Sequence, residues 1–207
     1  MTDRPARRPI GAADERYEPA DRAAWRAWLE AHHATAAGVW VVSFRRSSGR
    51  PVVAYEDLVE EALCFGWIDS QGAGLDDERT MLRFTPRRRG SPWARSNRER
   101  VERLLAEGRM APAGLRAVEA ARADGSWAAL EAADDLRVPD DLALALAADS
   151  AAGPGFDGLS PSRRRAILSW VGSAKRPATR ARRIADVVRA AAAGGTPLEP
   201  PRRVTEG

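Results

Sequence analysis

The sequence predicts an α+β fold in which helix dominates: a small three-stranded antiparallel sheet with helices, followed by a helical C-terminal lobe. Three observations predict it. Val39-Trp40-Val41-Val42-Ser43-Phe44 is a β-branched and aromatic run bounded by Gly38 and by the turn-like Ser47-Ser48-Gly49-Arg50-Pro51. Trp67–Gln71 and Thr80–Thr85 read as two further strands joined by a polar loop over 72–78. After Met110 the apolar spacing is helical, interrupted by Gly-, Pro- and Asp-rich joints at 123–126 and 151–155. These divide the chain into an arm over 1–18, an α+β lobe over 19–110, a helical lobe over 111–194 and a disordered tail over 195–207.

The helices follow from their periods. Asp21 can cap a helix whose apolar stripe is Trp25, Trp28, Leu29 and His32. Tyr55, Leu58, Val59, Ala62 and Leu63 form a second stripe, with Glu56, Asp57, Glu60 and Glu61 on the opposite, polar face and Gly66 as the terminator. Ser91 and Pro92 look like the cap and first turn of a helix reaching to about Glu107. Four further helices are expected over 112–123, 139–148, 160–174 and 179–193, the last capped by Thr179.

Composition excludes several classes. The 207 residues are 44% hydrophobic and 30% charged, with no apolar run of the ~20 residues a membrane helix needs. The N-terminal prolines and arginines precede no apolar segment, so no secretory signal is read there. Cys64 stands alone, which rules out an internal disulfide and suits a reducing compartment. The expected location is cytoplasmic, and no metal or cofactor is called for. The net charge of +4 hides two basic segments: 83–103 is net +6 and 163–189 net +8, which leaves the remainder net −10.

Unusual chemistry concentrates between Glu61 and Asn97. Strand alternation puts Arg83, Thr85 and Arg87 on one face, and with the N–H groups of a helix starting at Ser91 they would form an anion clamp. Asn97 falls on the inward arc of the helix that carries Trp93, Val101, Leu104 and Leu105, so its amide needs partners there. Trp67 and Trp93, with Trp40, would supply apolar walls, and Arg180 from the last helix would add charge. The ligand-binding set is therefore Trp67, Arg83, Thr85, Arg87, Ser91, Trp93, Asn97 and Arg180, and its expected partner is a small anionic or amphipathic molecule. An enzyme in the same pocket, with Asp69 as general base or Cys64 as nucleophile and His32 as its conceivable partner, is the alternative. Nucleic-acid binding through the basic segments is the second, although no helix-turn-helix, RNP or zinc-finger pattern is present.

Glu61-Ala62-Leu63-Cys64-Phe65-Gly66-Trp67-Ile68-Asp69-Ser70 and Arg83-Phe84-Thr85-Pro86-Arg87, with Ser91, Trp93 and Asn97, resemble the YdeI/OmpD-associated, bacteriocin-protection family. Pro112–Leu115, Gly125–Trp127, Pro139–Leu142 and Trp170–Ile184 extend the resemblance over roughly 17–194. It implies tolerance of bacteriocins or antimicrobial peptides and supplies no reaction. The chain departs from the expected pattern at Ala94, where a second serine would follow Trp93, and at Pro177-Ala178, where an acidic residue would precede Thr179.

Overall fold

The structure, a computed structural model, describes residues 15–198. Its described residues divide into two compact units, one built from 15–91 and 96–124 and the other from 92–95 and 125–198. Helix α4 (Pro112–Ala123) therefore belongs to the first unit, and the second begins in earnest at Gly125.

In the first unit the sheet has four strands, not three. β1 (Glu15–Tyr17), β2 (Val39–Phe44), β3 (Trp67–Gly74) and β4 (Arg79–Pro86) lie in the order β1-β2-β4-β3. β1 pairs parallel with β2, so the sheet is mixed, while β2, β4 and β3 are antiparallel. Glu-Arg-Tyr is too short to show a period, and its strand character comes from the edge of β2. The expected arm thus gives way to structure at Glu15; its first 14 residues, like 199–207 of the expected tail, lie outside the described residues.

Helix α1 (Arg22–His32) begins as its cap predicts, with the Asp21 carboxylate accepting from the Ala24 N–H at 2.7 Å. Its tryptophans dock on one sheet face: Trp25 lies 5.3 Å from the Phe84 ring and donates its indole N–H to Leu58 O at 2.9 Å, and Trp28 meets Trp67 edge-on at 5.9 Å. The opposite face of the sheet carries its own apolar cluster of Trp40, Val42 and Met81, packed with Ala73 and Leu75. The sheet is apolar on both sides, so strict inside/outside alternation fails to describe it.

Helix α2 (Tyr55–Cys64) corrects the sequence reading most sharply. Glu60 and Glu61, expected on a solvated face, are 6% and 2% exposed. They are buried by arginines. Glu61 accepts from Arg22 Nε at 2.6 Å, Arg26 Nη1 at 2.7 Å and Arg109 Nη2 at 2.6 Å. Glu60 pairs with Arg22 at 2.7 Å, with Arg109 at 3.4 Å and with Arg103. Burying two carboxylates costs several kcal/mol each unless opposite charges surround them, and four guanidinium groups meet that requirement here.

At its C-terminus α2 stops on Gly66, whose φ of +75° only glycine adopts without strain. The Cys64 carbonyl left open there accepts from the Ala111 N–H at 3.0 Å, just ahead of α4. α4 then approaches so closely that a Cβ on Gly114 would stand 2.2 Å from Cys64 O.

Helix α3 (Arg95–Ala106) starts later than expected. Ser91 does not cap it: the Ser91 N–H donates back to Arg88 O in a turn, and the Trp93 N–H is taken by Ser126 O at 3.2 Å. Residues 91–94 lie outside any helix.

The second unit is all helical among the described residues. It contains α5 (Glu131–Asp134), α6 (Asp140–Ala147), α7 (Ala152–Asp157), α8 (Pro161–Gly172) and α9 (Pro177–Ala192). Leu142, Leu146, Phe156, Ile167, Val171 and Val187 form the centre of its core. Segment 151–155, expected as a joint, opens α7. Pro154 is tolerated because first-turn N–H groups have no helical partner, and Asp149 accepts from the Ala151 and Ala152 N–H groups at 2.9 and 3.0 Å. α9 begins at Pro177 as an N1 proline, so Thr179 lies inside the helix and is not its cap.

Two tests follow from this packing. Glu61→Gln leaves the guanidinium groups of Arg22, Arg26 and Arg109 underpaired and should cost about 2–4 kcal/mol, below the full value for a buried pair because the arginines are about one-third exposed. Urea titration should show that loss while Glu78→Gln, on an exposed turn, stays within ~0.5 kcal/mol. In the second unit, a Cβ on Gly155 would lie 2.0 Å from Ala191 O, whereas Gly172 at the end of α8 meets nothing within 4 Å. Gly155→Ala should destabilise by about 1–3 kcal/mol or more, and Gly172→Ala should be neutral to ~1 kcal/mol stabilising.

Candidate functional site

The antiparallel register decides which of the expected site residues meet. Arg83 stands opposite Trp40 and Met81 opposite Val42, whereas Phe84 stands opposite both Val39 and Asp69, and Trp67 opposite Pro86. Arg83 and Thr85 therefore share the Trp40 face, and Trp67 and Asp69 lie on the Phe84 face. A single pocket holding all four does not form. A β-bulge between Asp69 and Gln71 shifts the pairing, so the alternation read along β3 changes face midway.

On the first face Arg83 and Thr85 converge at Gly38. A Cβ there would lie 3.1 Å from Thr85 Cγ2 and 3.2 Å from Arg83 Nη2. On the other face Trp67 is buried and donates its indole N–H to His33 O at 3.2 Å, which makes it core.

Asp69, Arg87 and Asn97 fall into a polar cluster of the first unit that sequence spacing could not assemble. Tyr55, at the start of α2, donates its hydroxyl to Asp69 Oδ2 at 3.0 Å. Partial burial and the Asp69 charge both push the Tyr55 phenol up. Arg100 grips Glu56 with two bonds of 2.7 and 2.8 Å and reaches Asn97 Oδ1 at 2.9 Å. That grip holds Glu56 below the usual carboxylate range. Asn97 thus has a protein partner. Arg87 is half-buried, and burial pushes its guanidinium down to about 10 against the upward pull of Asp69. Its backbone N–H donates to Gly66 O at 2.9 Å and its Nη2 to Ser91 O at 3.5 Å. Because α3 begins at Arg95, the Ser91 helix N-terminus required by the anion clamp is missing. The Tyr55 hydroxyl occupies one Asp69 oxygen.

Cys64 is 0% exposed, and burial followed by the charge of Glu61 pushes its thiol up to about 11. The expected His32 partner is engaged elsewhere: its ring stacks on Trp28 at 4.7 Å and its Nδ1 lies 2.8 Å from Trp28 O. Among the described residues no group of three or more His, Cys, Asp or Glu side chains is placed to hold a metal ion.

In the second unit Trp93 is buried against Trp127, with ring centroids 5.1 Å apart. Arg180 is held in a fork by Asp141, at 2.5 and 2.8 Å, and its Nη1 reaches Val171 O at 3.3 Å. This pair, with Arg180 donating, holds Asp141 below its usual range. Arg180 also lines a groove of about 870 Å³ between α6 and α9, floored by Ala145, Ile184, Ala185 and Val188. Sequence reasoning found Arg180 and missed the groove. The signal was the run of small residues on two helices, Ala145 and Ala148 on one and Ala181, Ala185 and Ala192 on the other, which leaves the space between them open.

The thiol geometry predicts inertness. Iodoacetamide at pH 8 should leave Cys64 essentially unmodified in the folded protein, since only the thiolate reacts, and should label it fully in denaturant. Rapid native-state labelling read by mass spectrometry would contradict the buried placement.

Two family models match the chain. Residues 17–117 match a domain of unknown function, DUF8412, which takes in the blocks at 61–70 and 83–97. Residues 135–194 match the model described as bacteriocin-protection, YdeI or OmpD-associated, which takes in Pro139–Leu142 and Trp170–Ile184. No curated protein and no solved structure matches. The helices from α6 to α9 thus lie within the segment that is similar to the YdeI/OmpD-associated, bacteriocin-protection family.

Proposed function

We propose that this chain is a binding protein for a small amphipathic anion, held in the groove between α6 and α9. The observation that carries the reading is the groove itself: its volume lies in the range of small-molecule sites, its floor is apolar, and it sits inside the family-matched helices. Charge selects the sign of the ligand. Asp141 is occupied by Arg180, and Asp149 accepts from the N–H groups that open α7, so the acids on the rim are spent. Arg189 is 75% exposed and held by Asp186 through one bond of 3.1 Å, which leaves it available to a carboxylate. The setting we propose is bacteriocin tolerance, from the family's description, in the cytoplasm, from the lone thiol.

The other readings draw on less. Of the basic residues from 163 to 189, Arg164, Arg165, Arg180 and Arg183 already face a carboxylate or a carbonyl, which thins the surface a nucleic acid would use. An enzyme using Cys64 would need the buried thiol exposed and ionised.

Decanoate, kept below its micelle concentration, is the probe. Calorimetric titration should give a dissociation constant of ~0.1–1 mM, and decyltrimethylammonium should bind at least ~10-fold more weakly. Ala185→Trp, which fills the floor from an exposed position, should abolish decanoate binding, and Arg189→Glu should weaken it about tenfold. Equal binding of the cation, or affinity untouched by Ala185→Trp, would remove the assignment.

A further inference from the structure

A second hollow of the same unit has different chemistry. It is a cleft of about 440 Å³ between α5 and α8. One wall carries Asp134, whose side chain is only 4% exposed. The other is a face of α8, where Ser162, Ser169 and Ser173 recur at helical spacing beside Trp170, and Leu198 from the segment after α9 closes one side.

Charge in the cleft is already balanced. Arg165 Nε lies 3.6 Å from one Asp134 oxygen and Arg95 Nε 4.0 Å from the other. A free anion would meet a buried carboxylate, and a free cation would meet guanidinium groups. The charge balance favours a neutral ligand with many hydroxyls. The remaining groups suit such a ligand. Arg183 holds Trp170 in place: it lies 5.0 Å over the ring and donates to Trp170 O and, at 2.8 Å, to Ser173 Oγ. Ser173 also donates to Trp170 O at 2.8 Å, so its hydroxyl is spent on holding the helix end. Ser169 and Trp170 both line the cleft, and their side chains carry a hydroxyl and an indole N–H that can donate. An indole presents an apolar ring with a donor at its edge, and a carboxylate accepts from two adjacent hydroxyls.

We propose that the α5–α8 cleft is a sugar-binding site. The ring's C–H face lies on Trp170, adjacent hydroxyls donate to Asp134, and Ser169, Arg165 and the indole N–H supply the remaining hydrogen bonds. The proposal is independent of the α6–α9 groove, because the two hollows share no lining residue.

The test follows the Trp170 indole N–H signal by ¹⁵N NMR, assigned with Trp170→Phe, while methyl β-D-glucopyranoside, tetramethylammonium and inorganic phosphate are titrated separately to ~50 mM. The glucoside should shift the signal saturably, and the two ions should not. Ser169→Leu, which fills the cleft from the surface of α8, should weaken the glucoside at least tenfold, and Asp134→Asn, which keeps the shape and removes the charge, about tenfold. Ala185→Trp should leave glucoside binding unchanged. An unmoved signal with the glucoside, an equal response to either ion, or full affinity in both cleft variants would overturn the assignment. Loss of decanoate binding alone would bear on the groove and not on the cleft.

Discussion

The first unit depends on two adjacent carboxylates. Neighbouring residues on a helix point about 100° apart, so Glu60 and Glu61 can both be buried only if α2 is walled on two sides. Arg22 and Arg26 of α1 form one wall; Arg103 of α3, with Arg109 beyond its end, forms the other. Guanidinium forks suit this arrangement because Arg22 and Arg109 each bridge both glutamates, which a single ammonium would do poorly. Once the roll of α2 is fixed, so is the point where its C-terminus turns at Gly66. From that turn the start of β3 follows, with Trp67 in the core and Asp69 beside Tyr55.

Close backbone approach is the second constraint, and both units use it. Gly114 admits the Cys64 carbonyl to the surface of α4, and Gly155 admits the Ala191 carbonyl to α7. In the first unit this approach also seals the thiol. Cys64 lies where α2 ends, and the same α4 contact that takes up its carbonyl, together with the neighbouring Glu61 charge, makes ionisation of the sulfur unfavourable. A residue type associated with chemistry is here a packing residue.

Local signals were legible. The Asp21 cap, the Trp25/Trp28/Leu29 stripe, the 39–44 strand, the Gly66 stop and the Pro112–Ala123 helix all depend on a few consecutive residues, and they stand where the sequence puts them. Features set by distant partners were not. β1 exists because β2 has an open edge, and α3 starts at Arg95 because Ser126 takes the Trp93 N–H. The buried glutamates were the hardest case. Their position opposite the Leu58/Val59/Leu63 stripe reads as solvent, and only the arginines folded in from α1 and from the far side show otherwise. For the candidate site, residue identities were legible but sheet faces were not, since the bulge at Ser70 separates Asp69 from the alternation that governs Arg83 and Thr85.

Arginine content is a poor guide to where this chain could meet a ligand. Both segments that stand out as basic in sequence spend much of their charge internally: Arg100 on Glu56 and Asn97, Arg103 on Glu60, Arg180 on Asp141, Arg183 on the end of α8. What remains open in the second unit is set by small and hydroxylated side chains. Alanines on α6 and α9 leave the groove, and serines on α8 leave the cleft. Ile167, Val171, Val187 and Ala191 belong to the packed core of the same unit and line neither hollow. The two hollows share no lining residue, so their linings differ in chemistry: alanines and branched aliphatics in one, serines, Asp134 and Trp170 in the other.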